Sequence, residues 1–155
     1  MGLFTKSKNK SEEHHIINAC YHGDIECVKN YISSGKNLNI TEKRNSPLLV
    51  AISQHHEDVV KLLLENGADV NFNPDNTSTA LHEAIDGAIY QTFYGGIEYE
   101  DPPTAIIELL IKHGADINMK NKLGVTPLEA TRHYKTSSGA TPQNIIDLLE
   151  KHGAH

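Results

Sequence analysis

Leu62-Leu-Leu-Glu-Asn-Gly-Ala-Asp-Val-Asn71 and Leu109-Leu-Ile-Lys-His-Gly-Ala-Asp-Ile-Asn118 follow one pattern: an apolar run, two polar residues, Gly-Ala-Asp, an aliphatic residue and Asn. Looser copies run from Cys27 to Asn39 around Gly35 and from Asn144 to His155 around Gly153. A pattern that returns at a near-fixed period marks a repeat array, in which each unit buries its apolar face only by stacking on its neighbours.

Each copy is preceded by a second short helical stretch, at His15–Gly23, Ser46–Gln54, Thr79–Ile85 and Thr126–Thr131. Ser46-Pro47, Thr126-Pro127 and Thr141-Pro142 each offer a hydroxyl cap followed by proline, a favoured way to open a helix. Gly67 and Gly114 supply the left-handed position that stops the second helix. The apolar positions Val59, Val60, Leu62, Leu63 and Leu64 form a stripe too wide for one partner, so this helix needs cover on two sides. No segment alternates with period two, which excludes a sheet. The reading is all-α: four helix–turn–helix units at about 11–39, 40–71, 72–118 and 119–155 in a single domain, after a flexible basic segment at 1–10. Helix pairs are expected at 15–21/25–33, 47–54/57–65, 80–90/103–112 and 127–134/142–151. The third unit carries about fourteen extra residues and the fourth about six, both placed between the two helices.

With this register the chain resembles the ankyrin-repeat family over about residues 11 to 155. Thr126-Pro-Leu and Thr79-Ala-Leu-His82 match the family's TPLH box, and the two Gly-Ala-Asp segments match its second helix and turn. His14-His-Ile-Ile replaces the box in the first unit, as a capping repeat allows, and Leu49 stands where the second unit would carry histidine. The resemblance implies a solenoid of L-shaped units with short β-turn fingers, a concave face that grips another protein, and no common catalytic residue. It extends to stand-alone bacterial ankyrin proteins, some of which are immunity proteins that plug a toxin. An adaptor, a regulatory subunit or a host-directed effector is the alternative.

Chemistry-bearing motifs are sparse. Adjacent histidines on a helix diverge by about 100°, so neither His14-His15 nor His55-His56 is expected to chelate a metal. His82, Glu83 and Asp86 imitate part of a zinc-protease motif, but the second histidine is missing. Cys20 and Cys27 are read as free thiols rather than a disulfide. The chain is therefore expected to be non-catalytic and to need no cofactor.

Charge is more informative. The net charge is −6, and residues 62 to 111 hold nine acidic residues with no Lys or Arg. Such a field steers a basic protein and repels nucleic acid. The longest apolar run is too short for a bilayer, and Met1-Gly-Leu-Phe-Thr-Lys6 lacks an apolar leader, so a cytoplasmic protein, monomeric when free, is expected.

The third unit's insertion places Tyr90, Phe93, Tyr94 and Tyr99 beside Glu98, Glu100 and Asp101. Long insertions are often functional, and aromatic rings give large contact area at low entropic cost. The first helices should end on a column of variable positions: Tyr21 and His22, Ser53 and Gln54, Asp86 and Gly87, His133 and Tyr134. The candidate binding surface joins that column to the insertion.

Overall fold

A computed structural model of the chain describes residues 13, 15–43, 45–73, 77–94, 101–134 and 141–155. The flexible N-terminal segment expected at 1–10 lies outside them, as do Glu98, Tyr99 and Glu100. Eight helices appear among the described residues: α1 (15–22), α2 (Ile25–Ser33), α3 (Pro47–Ser53), α4 (Glu57–Glu65), α5 (Ala80–Tyr94), α6 (Ala105–Lys112), α7 (Pro127–His133) and α8 (Gln143–Lys151). The only pairing of extended backbone among these residues is an isolated antiparallel bridge, Glu42 with Asn45, at a finger tip.

The helix boundaries follow from capping chemistry. Ser46 Oγ accepts the Leu49 amide at 3.3 Å, with Pro47 at the first helical position. Thr126 closes a full capping box: its hydroxyl accepts from Glu129 N at 3.2 Å, and Glu129 returns a carboxylate oxygen to Thr126 N at 2.8 Å. That reciprocal bond is why the Glu129 carboxyl lies below its ordinary range. Thr141-Pro142 departs from the expectation. Pro142 occupies the cap itself, and Gln143 N bonds the Thr141 carbonyl at 2.8 Å, so α8 starts without a side-chain cap. Asp101-Pro102-Pro103 also stays outside its helix, which opens after Thr104.

Gly67 and Gly114 have φ of +89° and +84°. The amide after each, Ala68 and Ala115, reaches back to Leu63 O and Leu110 O at 3.0 Å, a double-bonded stop that only a left-handed residue allows.

The chain divides into two compact units, Met1–Pro74 and Asp75–His155. In the first, α4 packs on α3 and on α2, the two-sided cover its stripe calls for. Val59, Val60 and Leu63 are wholly buried there with Ile16, Cys20, Val28, Ala51 and Ile52. In the second, α5 packs on α6 and on α7, and α7 on α8, around Leu81, Ile85, Ile89, Ile107, Leu110, Leu128, Ile145 and Leu149. Each buried Val, Leu or Ile among them contributes about 1.5–3 kcal/mol on leaving water.

Both units use one polar tie between successive repeats. Asn39 Oδ1 accepts from Asp69 N at 2.8 Å, and Asn118 Oδ1 accepts from His155 N at 3.1 Å. Among the described residues, no helix is long and apolar enough to cross a membrane.

Candidate partner-binding surface

The third repeat departs most from the sequence reading. Instead of ending near residue 90, α5 runs through Tyr94, so the start of the insertion is helix rather than loop. Ala88, Ile89 and Thr92 carry the buried stripe of α5 onward, Thr92 Oγ1 donates to Ala88 O at 2.9 Å, and Gly95-Gly96 is the first strong breaker. Asp86 and Gly87 therefore stand in mid-helix and not at its end, which corrects their place in the column. The other pairs do sit at helix ends. Tyr21 and His22 finish α1, Gln54 caps α3, and Tyr134 caps α7 just after His133.

Asp86 lies on the outer face of α5, one turn after Glu83 and one turn before Tyr90. Tyr90 is 64% exposed, an unusual position for a large ring. The Tyr134 hydroxyl donates to Asp86 Oδ1 at 2.6 Å, so two candidates 48 residues apart meet across successive repeats. His133 is exposed, and its Nδ1–H donates to Glu129 O at 2.6 Å. Asp101 is exposed as well. For Phe93 and Tyr94 the backbone is helical and the side chains lie outside the described residues.

In the other unit, Tyr21 and His22 are exposed and stack edge to face, with ring centroids 5.1 Å apart. The Tyr21 carbonyl accepts from His56 Nε2–H at 3.1 Å. His56 thereby seats the second repeat's turn on Gly23, where an added Cβ would lie 2.7 Å from the imidazole. Gln54 is half-buried. His55 takes φ +59° at the place where the first repeat has Gly23, and burial lowers its basicity.

His82 is buried and structural. Its Nε2–H donates to the Val125 carbonyl at 3.1 Å, and Nδ1 accepts the Thr79 hydroxyl at 2.7 Å. The carbonyl can only accept, so the proton sits on Nε2. Burial is the main cause of a pKa below the ordinary histidine value, outweighing the bond to Val125.

Sequence reasoning missed three features. The Asp86–Tyr134 bond and a contact between Cys27 Sγ and His15 Nε2 at 3.1 Å join residues with no shared motif. Leu123, 83% exposed at a finger tip, was signalled by a lone apolar residue among Asn121, Lys122 and Gly124.

Comparison with known proteins agrees with this architecture. A family model describing three copies of the ankyrin repeat matches residues 16–94, and a single-repeat model matches 76–122. The chain belongs to the ankyrin-repeat family. Ankyrin repeats bind other proteins and are in general a non-catalytic fold. An ankyrin repeat protein of fowlpox virus is 30% identical over 146 residues, which cover 81% of this chain and 19% of that protein. The ankyrin repeat and KH domain-containing protein mask-1 of Caenorhabditis elegans is 33% identical over 76% of this chain and 4% of its own length. Human 2-5A-dependent ribonuclease is 35% identical over 61% of this chain and 11% of its own. The chain thus spans a fifth or less of these ankyrin relatives.

Proposed function

We propose that this ankyrin chain binds, and masks, a basic protein partner without catalysis, cofactor or nucleic acid, in the manner of an immunity protein and as a cytoplasmic monomer when free. The observation that carries the reading is the outer face of α5. There an exposed carboxylate, Asp86, is held by Tyr134 beside the exposed ring of Tyr90, within a fifty-residue stretch that has no Lys or Arg. The ordered carboxylate pairs with a cationic side chain, and the ring supplies a face for its alkyl or guanidinium portion. His133, Phe93, Tyr94, Glu98, Tyr99, Glu100 and Asp101 are the further candidates in this unit, and Tyr21, His22 and Gln54 are the candidates in the first. An adaptor role is the second reading, favoured by relatives in which the matching segment is a small part of a long protein.

Capture of the partner from the source cells, followed by association kinetics, tests this proposal. Salt slows association, because charges separated by more than about 8 Å are screened at physiological ionic strength. Joint reversal of Asp86, Glu98, Glu100 and Asp101 to Lys lowers mainly the on-rate. Tyr90→Ala costs about 2 kcal/mol or more of binding, as a central aromatic anchor does. A partner indifferent to salt, to the reversal and to Tyr90→Ala removes this placement and moves the search to the fingers around Lys43, Asp75 and Lys122. Hydrolytic activity lost with His82→Ala at unchanged melting temperature overturns the non-catalytic reading.

A further inference from the structure

Three large apolar side chains stand exposed among the described residues, and two of them, Tyr21 and Tyr90, are already candidates for the partner-binding surface. The third is Leu123, 83% exposed at the tip of the finger between the third and fourth repeats. The turn that carries it is pinned from within. Asn121 Oδ1 accepts from the Leu123 amide at 2.9 Å and from the Val125 amide at 3.2 Å, and Gly124, at φ +75°, donates its amide to the Asn121 carbonyl at 2.9 Å. The Lys122 amide donates to Thr77 O at 3.2 Å, which ties the tip to the chain ahead of α5. A leucine on such a turn has little backbone freedom left to lose on docking. The charge around it is basic: residues 112–124 hold Lys112, Lys120 and Lys122 against Asp116 alone. Lys120 influences Glu129, whose carboxylate is occupied in capping α7. The Lys122 ammonium makes no ion pair or hydrogen bond among the described residues.

We propose that this finger tip is a second docking site, which takes an acidic protein segment carrying an aliphatic side chain. The segment's aliphatic group packs on Leu123 and on the methylene stems of the flanking lysines, while its carboxylates meet the Lys120 and Lys122 ammonium groups. The sign of the charge commits the site to this occupant. A basic segment of the kind proposed for the α5 face is repelled here, so the finger goes beyond that reading and does not depend on it. A nucleic-acid backbone would satisfy the lysines but leaves Leu123 in water. A bilayer is disfavoured because one aliphatic tip and two lysines offer little to insert, and a net charge of −6 opposes an anionic surface. A contact of this size is a transient one.

The experiment titrates the isotope-labelled chain with a ten-residue peptide of alternating Glu and Leu and follows backbone amide resonances. Saturable shifts are expected at Lys120, Lys122, Leu123 and Gly124. Leu123→Ser weakens the affinity by about tenfold at an unchanged melting temperature, because the side chain supports nothing in the fold. Leu123→Met keeps it. Joint Lys120→Glu and Lys122→Glu weakens it by about tenfold and abolishes its salt dependence, whereas Lys43→Glu, a charge reversal on the first finger, changes it by less than about twofold. Absence of saturable shifts at the finger overturns the proposal. Equal binding of a peptide with Ser in place of Leu removes the role of Leu123, and equal binding of one with Lys in place of Glu removes the charge selectivity; either result overturns the assigned occupant. So does an equal loss with Lys43→Glu, which would make binding a matter of net charge. Leu123-dependent binding to phosphatidylserine vesicles, without binding of the Glu and Leu peptide, would assign the tip to a membrane instead.

Discussion

The repeat pair of residues 13–73 and the pair of residues 77–155 reach the same helical arrangement with different polar fittings. In the first, a surface histidine, His56, clamps the preceding repeat's turn through the Tyr21 carbonyl, and Gly23 leaves room for its ring. In the second, a buried histidine, His82, fastens the third repeat to the fourth through Val125, and Tyr134 adds a bond to Asp86. The first pair has Leu49 where the second has His82. Apolar stripes and glycine stops are common to both, so they set the fold. The polar fittings differ and set how each pair responds to its surroundings. The first depends on space at one glycine, the second on the protonation of one ring.

The largest effects should come from what the pairs share. Leu63→Ala and Ile107→Ala remove side chains no more than 1% exposed, and each should cost about 2–5 kcal/mol in urea or thermal unfolding. A variant that melts like the parent breaks the assignment of common stripes.

Gly23→Ala tests the space beneath His56. The left-handed backbone at φ +68° and the 2.7 Å approach act together, for a loss of about 1–3 kcal/mol. In His56→Ala the ring is gone, so adding Gly23→Ala there should cost only the backbone part. Equal costs in both backgrounds would show that the ring does not press on this turn.

His82→Ala should cost about 1–3 kcal/mol by leaving the Val125 carbonyl and the Thr79 hydroxyl short of a partner, while partner binding stays largely intact. The folded state favours the neutral ring, so it binds fewer protons than the unfolded chain. The stability His82 contributes is complete above the ordinary value of 6.5 and is lost as pH falls through the lowered one. Urea melts from pH 8 to 5 should therefore weaken in the wild type, and less steeply in His82→Leu. Parallel curves would assign the acid sensitivity to other groups.

The smallest effect belongs to Tyr134→Phe. Its bond ends on an exposed carboxylate, so the loss should be below about 1 kcal/mol. Binding should nevertheless weaken, because Asp86 is no longer oriented. A variant that loses stability but keeps its partner affinity would make the bond a structural fitting only.

Much of the architecture was legible because capping and stopping residues act over a few positions. Ser46-Pro47, Gly67, Gly114 and Thr126-Pro127 each fix a boundary that local chemistry explains. The failures have physical causes. Gly87 and the extra residues suggested an early end to α5, yet Ala88, Ile89 and Thr92 continue its buried face, and burial outweighs one weak helix former. Thr141-Pro142 looked like a cap, but the cap position fell on the proline. The candidate surface was only partly legible. Tyr90 stood out as an aromatic of the insertion, whereas the meeting of Asp86 with Tyr134 depends on how α5 and α7 pack, and no local pattern encodes that.

The ties made by Asn39 and Asn118 have a consequence for how such a chain grows. Each asparagine side chain receives a main-chain amide of the following repeat, at Asp69 and at His155. Every residue type except proline presents that amide. This hydrogen bond therefore places almost no demand on the side chains of the incoming unit, which has only its apolar stripe and polar fittings left to match. At these two joints one repeat can be exchanged for another while the hydrogen bond is kept.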